Sequence, residues 1–211
     1  GRVADFRYLK TKGEPANVVN QGLEELKAVH GQNMKILGTG VTGSGRYLIG
    51  KMVEASTIKD EITAQARAAV ALDPDVDTIF EIGGQDSKFI RIKQGRVADF
   101  QMNKVCAAGT GSFIEEQSVK FDIPINYFGT LSLSSNAPVD LGERCAVFME
   151  TTLAGKLAGG AEKKDLAAGL CYSIVKNYLN RVVGAKETGN HILFQGGLGH
   201  NQGVVNAFRA V

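Results

Sequence analysis

Apolar positions along the chain fall into alternating helical and strand-like rhythms. Val19, Leu23, Leu26 and Val29 follow Pro15 at helical spacing, and Gly31 closes the run. The stretch MKILGTGVTGSGR at 34–46 predicts a buried strand, a glycine-rich loop and a helix from about Arg46. Ile62, Ala66 and Val70 repeat behind Asp60, which suits an N-cap, and LDPD at 72–75 ends that helix. Between 77 and 102 the run DTIFEIGGQDSKFIRIKQGRVADFQM predicts a strand, a glycine-rich turn, a second strand, a short turn and a third strand. A helix is expected from Thr110 to about Val119, then an irregular stretch at 121–144, then a helix beginning near Cys145. Leu166, Leu170, Ile174, Tyr178 and Val182 mark one face of a long helix over about 162–183. HILFQGGLGHNQGV predicts a strand, a glycine-rich turn and the start of a last helix. Strands alternating with helices define an α/β fold.

The hexapeptide GRVADF occurs at 1–6 and again at 95–100, where it lies on the third predicted strand. An internal repeat is the expectation, with the chain beginning inside the first copy of a hairpin. The expected lobes are a partial one over 1–72 and a second over 73–211.

Composition narrows the function classes. The chain has 211 residues, 22% of them charged, and a net charge of +2, too near neutral to argue for nucleic acid or an acidic membrane face. No run of 18 apolar residues or secretory leader is visible. The three cysteines, Cys106, Cys145 and Cys171, have no C-x-x-C or zinc spacing, and an odd count without an export signal fits a reducing cytoplasm.

Most of the 26 glycines cluster in loops that follow strands. LGTGVTGSGR, EIGGQDSK and FQGGLGHNQG expose backbone N–H groups to an anion, and CAAGTGSF opens a helix whose N-terminus adds a fourth such place. None is a P-loop. In EIGGQDSK, Gln85 and Asp86 follow two glycines, and Glu81 stands at the strand end. A carboxylate and an amide beside a phosphate cradle suit Mg²⁺ and a positioned water, so Glu81, Gln85 and Asp86 are the catalytic candidates.

Four segments, EIGGQDSKFI, NKVCAAGTGSFIE, ERCAVFMET and FQGGLGHNQGV, together resemble the ATP-dependent activators of 2-hydroxyacyl-CoA dehydratases. Benzoyl-CoA reductase ATPase subunits (the BadF/BadG/BcrA/BcrD group) belong to the same family. The resemblance runs colinearly over about 34–211. It implies the actin, sugar-kinase and heat-shock ATPase (ribonuclease H-like) fold, with two related lobes and ATP or ADP with Mg²⁺ in the cleft. It implies nucleotide contacts from Gly83, Gly84, Gln85 and Asp86, from Gly109, Thr110 and Gly111, and from Gly196, Gly197 and Asn201. It places the family's first phosphate loop upstream of residue 1. Glu81 stands where many members have Asp, a longer arm with the same charge.

The resemblance also implies an anaerobic one-electron donor. Cys106 and Cys145 would ligate a [4Fe–4S] cluster shared across a homodimer, the partner would be an acyl-CoA dehydratase or reductase component, and electrons would come from ferredoxin or flavodoxin. Cys171 lies on the apolar side of its helix and reads as a buried small hydrophobe. The two cysteines that remain are half of the four thiolates such a cluster takes, and a two-fold axis would supply the rest. The alternatives are a small-molecule kinase of the same fold with Asp86 as base, an ATPase-fold module that only mediates assembly, and a disulfide or zinc pair of Cys106 and Cys145. Zinc finds no supporting spacing in His30, His191 or His200.

Overall fold

The computed structural model describes residues 3–31, 35–103, 109–143 and 145–211. They form two compact units, 1–65 and 66–211, each taken by itself here.

In the first unit, α1 (Pro15–His30) carries proline at its start, and Gly31 ends it at φ 61°, in the left-handed region. β1 (Gly40–Val41) pairs in parallel with β2 (Thr57–Ile58), and α2 (Arg46–Met52) lies between them in sequence. α3 (Glu61–Leu72) begins behind Asp60, whose Oδ1 accepts from Thr63 N at 2.9 Å. Two expectations fail in this unit. Residues 35–39 form no strand, and Ile36 and Leu37 are 65% and 87% exposed. Residues 3–6 of the first GRVADF copy are not a strand either; Val3 and Phe6 are 77% and 76% exposed. A strand is defined by its ladder, and the bond that Thr39 O accepts from Thr57 N at 3.1 Å only continues the short β1–β2 pairing.

The second unit holds the main core. Its sheet has the order β5–β4–β3–β6, from β3 (Thr78–Ile82), β4 (Ser87–Lys93), β5 (Arg96–Met102) and β6 (Ile192–Gln195). β3 runs antiparallel to β4 and parallel to β6, and every one of its residues is buried. That burial on both faces fits TIFEI, which does not alternate apolar with polar and carries Glu81 inside the sheet. Glu81 lies opposite both Lys88 on β4 and Gln195 on β6.

Around the sheet pack α4 (Gly111–Lys120), α5 (Ile125–Leu133), α6 (Ala146–Ala158), α7 (Lys163–Tyr178) and α8 (Gln202–Ala210). α7 is central: eleven of its sixteen residues are buried, so its apolar surface is far wider than one stripe. It passes into a π-helical turn, Leu179–Val183, closed by Gly184 at φ 57°. The Tyr178 hydroxyl donates to the Lys88 carbonyl at 2.7 Å, and its ring meets Phe80 edge-on at 5.3 Å. α5 corrects the expectation of an irregular stretch at 121–144. Pro124 precedes it, and Phe128, Gly129 and Ser132 form its buried side. Gly129 is needed because a Cβ there would lie 2.6 Å from Asn201 Oδ1 on the neighbouring turn.

Candidate functional site

Three glycine-rich turns of the second unit converge at the ends of β3 and β6. The turn after β3 folds back on itself, with Gly83 N donating to Asp86 O at 2.9 Å. Two N–H groups from the start of α4 then bind it: Gly111 N donates to Gly83 O, and Ser112 N to Gly84 O, each at 2.8 Å. A helix start leaves four N–H groups without intrahelical partners. Here two of them go to loop carbonyls, in the place where an anion was expected. The turn after β6 closes the group. A Cβ on Gly196 would sit 2.4 Å from the Ile82 carbonyl oxygen, and Leu198 packs against Gly111.

Electrostatics are concentrated at the first turn. Lys88, 2% exposed, places Nζ 2.9 Å from Glu81 Oε2 and 2.7 Å from Asp86 Oδ1. Burial pulls the ammonium pKa down, but the hydrogen bonds it donates to Asp86 and Glu81 outweigh that and hold the pKa above that of an ordinary lysine. Sequence reasoning missed Lys88. Its signal was a lysine two residues beyond Asp86, on a strand that is otherwise buried.

The expected nucleotide residues are placed as follows. Glu81 is buried and Asp86 half-buried, while Gly84 and Gln85 face solvent. Gly109 and Thr110 are buried, and a Cβ on Gly109 would reach 3.8 Å from the Tyr178 backbone. Gly197 opens the last turn with nothing within 4 Å of a Cβ. Asn201 caps α8, its Oδ1 accepting from Gly203 N and Val204 N at 3.0 and 3.2 Å. Beside Asn201 a cavity of about 230 Å³ opens between Ile125, Asn126 and Thr130 on one side and Gly197, Leu198 and His200 on the other.

The cysteines separate clearly. Cys106 lies outside the described residues, within 104–108. Cys145 is an exposed free thiol at the N-cap of α6. The segment around it is anchored to α7: Ser173 Oγ donates to Gly142 O at 2.7 Å and lies 2.8 Å from Met149 Sδ. Gly142 precedes Cys145 and Met149 follows it, so both flanks are fixed. Lys120 of α4 also pairs with Glu150 of α6, tying together the two helices that follow the cysteine segments. Among the described residues, no group of three or more His, Cys, Asp or Glu is arranged to hold a metal ion.

Cys171 is buried, and burial pushes its thiol up to about 12 from an ordinary 9.0, against a smaller lowering by a hydrogen bond to Ser132. The folded value is the raised one. The stability linked to this thiol is therefore complete below pH 9.0 and falls as pH climbs towards 12. In iron-free protein at pH 8, iodoacetamide should modify Cys145 and leave Cys171 intact until the chain is unfolded, as read by peptide mass spectrometry. Equal labelling of the two would overturn the placement of Cys171 in the core.

In the second unit a parallel strand pair thus carries glycine turns clustered at its ends, with acidic groups beside them. The family model for BadF/BadG/BcrA/BcrD ATPases matches residues 7–211, and the chain belongs to this family. It is 31% identical over 196 residues to the (R)-2-hydroxyglutaryl-CoA dehydratase activating ATPase of Acidaminococcus fermentans, covering 92% of this chain and 72% of that protein. It is also 31% identical over 170 residues to the 2-hydroxyisocaproyl-CoA dehydratase activator of Clostridioides difficile, covering 79% of this chain and 62% of the relative. The solved structure of the activator of the 2-hydroxyisocaproyl-CoA dehydratase from Clostridium difficile with bound ADPNP superposes at TM-score 0.82 and 29% identity, covering 90% of this chain and 70% of that one. The chain thus spans roughly three-fifths to three-quarters of these relatives' lengths. The fold is the actin, sugar-kinase and heat-shock ATPase fold expected from the sequence. No helix among the described residues is long and apolar enough to cross a membrane.

Proposed function

We propose that the protein is an ATP-dependent activator of an acyl-CoA dehydratase or a related acyl-CoA reductase, donating one electron to it. The carrying observation is the pair of backbone hydrogen bonds joining Gly83 and Gly84 to the start of α4, immediately beyond the segment that holds Cys106. The turn that would hold phosphate is thereby bound to the helix that follows Cys106 in sequence.

The nucleotide site fits its ligand. Gly84, exposed on the turn, would offer backbone to phosphate, while the Gly83 N–H is held by the Asp86 carbonyl and closes the turn; Gly109, Thr110 and Gly111 back them at the start of α4. Gly197 and Asn201 line the cavity that would receive the nucleoside, and Gly196 precedes them on the same turn. Two carboxylates, Glu81 and Asp86, suit Mg²⁺, which takes one or two such ligands together with phosphate and water. Gln85, exposed beside them, would orient the attacking water.

The thiols fit a shared cluster. Cys145 is exposed, is not in a disulfide, and stands at the N-cap of α6. A [4Fe–4S] cluster held by Cys106 and Cys145 of each of two subunits supplies the one-electron chemistry when bound. Val147 and Phe148, 66% and 65% exposed beside Cys145, are the apolar surface a second copy would cover. Nucleotide can drive a change at the cysteines only through unequal affinity for the two states. A cytoplasmic ferredoxin or flavodoxin would supply the electrons, and the dehydratase would take them.

The test is iron and sulfide content after purification without oxygen, together with solution mass and ADP binding. About four irons per two chains in a dimer supports the reading. An iron-free monomer that resists reconstitution yet binds ADP would reduce the protein to a nucleotide-fold module.

A further inference from the structure

The buried Lys88 is not used by the phosphate-loop reading, yet it holds both carboxylates assigned to Mg²⁺. It stands directly across the β3–β4 ladder from Glu81, and its side chain is 3% exposed. Its two partners differ. The Glu81 side chain is 8% exposed and locked inside the sheet, whereas the Asp86 side chain is 36% exposed and sits on the turn. A buried carboxylate without a cation is costly, so the in-sheet half of the triad is permanent. The Asp86 half is open to exchange with solvent, ions and ligand. Gly83 keeps the arrangement tight, since a Cβ there would lie 3.0 Å from Glu81 Oε1 and 3.4 Å from Asp86 Oδ1. Among the described residues, two carboxylates and one ammonium bring the cluster to −1. Without the ammonium it would stand at −2 and attract a divalent ion with no nucleotide present.

We propose that Lys88 is the resident counter-ion of this site. It occupies Glu81 and Asp86 in the nucleotide-free protein, keeps divalent metal out, and gives up Asp86 alone when metal arrives with a polyphosphate. The proposal rests on the reading of 83–86 as a phosphate loop. It adds an order of events: metal follows nucleotide and never precedes it. Lys88 is thus a positioning residue, acting through Asp86.

Mn²⁺ binding to nucleotide-free protein, followed by the electron paramagnetic resonance signal of the free ion, tests this without any turnover. The wild-type protein should leave the signal at its free level. Lys88→Met should take up about one Mn²⁺ per chain, and Lys88→Arg, which keeps the charge, should take up none. Equal Mn²⁺ uptake by wild type and Lys88→Met would overturn the proposal. Lys88→Met strands Glu81 and puts folding at risk, so Asp86→Asn gives a second decision by calorimetry of ADP. Without Mg²⁺ its ADP affinity should match wild type, while the gain from added Mg²⁺ should shrink about tenfold. Equal weakening with and without Mg²⁺ would also overturn the proposal. If wild-type protein binds no ADP at all, the phosphate-loop reading fails, and the Mn²⁺ comparison still decides the role of Lys88.

Discussion

Gly196→Ala is expected to remove nucleotide binding and to destabilise the second unit. Gly196 has φ 94°, a region that an alanine enters only under strain. The added Cβ would also lie 2.4 Å from the carbonyl oxygen and 2.7 Å from the carbonyl carbon of Ile82. These are backbone atoms of the central strand, not the free end of a side chain, so they cannot swing aside. Relief requires either β3 or the turn after β6 to shift. A shift of β3 would carry Glu81 and the 83–86 turn with it. A shift of the other turn would carry Leu198 away from Gly111 and reshape the cavity beside Asn201. The strained dihedral and the overlap together should cost about 3 kcal/mol or more. Urea unfolding measures that loss, and calorimetry measures ADP binding on whatever remains folded. Gly197→Ala is the control, since a Cβ there meets nothing within 4 Å. It should unfold like wild type. If Gly196→Ala matched it in both stability and ADP affinity, the close packing of the two turns would be wrong.

How much of this was legible beforehand depends on where each signal lived. The β3–β4–β5 meander announced itself locally, because its turns are short and its strands are rich in β-branched and aromatic residues. α7 was equally plain, since Leu166, Leu170, Ile174 and Tyr178 repeat every four residues. α5 was hidden by Gly129, Thr130 and Ser132, poor helix formers, of which Gly129 is explained by the close approach of Asn201 and Gln202. Strand character at 35–39 was over-read, because apolar content cannot create a ladder partner.

The site was half legible. Glycines and carboxylates mark a phosphate turn by their identity, and the cysteine motifs are specific enough to carry a family resemblance. Two further features depended on pairing across the sheet. Nothing near Lys88 in sequence says that it faces Glu81, seven residues away; the register of β3 on β4 says so. Nor does CAAGTGSF say that its helix start is spent on the carbonyls of Gly83 and Gly84. A contact between two backbones leaves little trace in side-chain identity, apart from glycine itself at positions 83 and 111.

Cys145→Ser is expected to bring iron from about two per chain to near zero while leaving the nucleotide turns intact. The substitution isolates ligation unusually well. Cys145 occupies the N-cap of α6 with extended backbone, φ −58° and ψ 146°, and serine is among the residues preferred there. The variant should therefore hold α6 at least as firmly as wild type, and lost iron cannot be blamed on a frayed helix. Ser173 still fixes Gly142 and Met149 on either side. The 83–86 turn is bound to α4, not to α6, so ADP affinity should stay within about twofold of wild type. The dimer should weaken with the iron, because two of the four bridging thiolates would be gone. Cys171→Ala supplies the contrast: it removes a buried thiol remote from ligation, so iron should be retained at a cost of about 1 kcal/mol in stability. Full iron in Cys145→Ser, or its loss in Cys171→Ala, would move the cluster away from the head of α6.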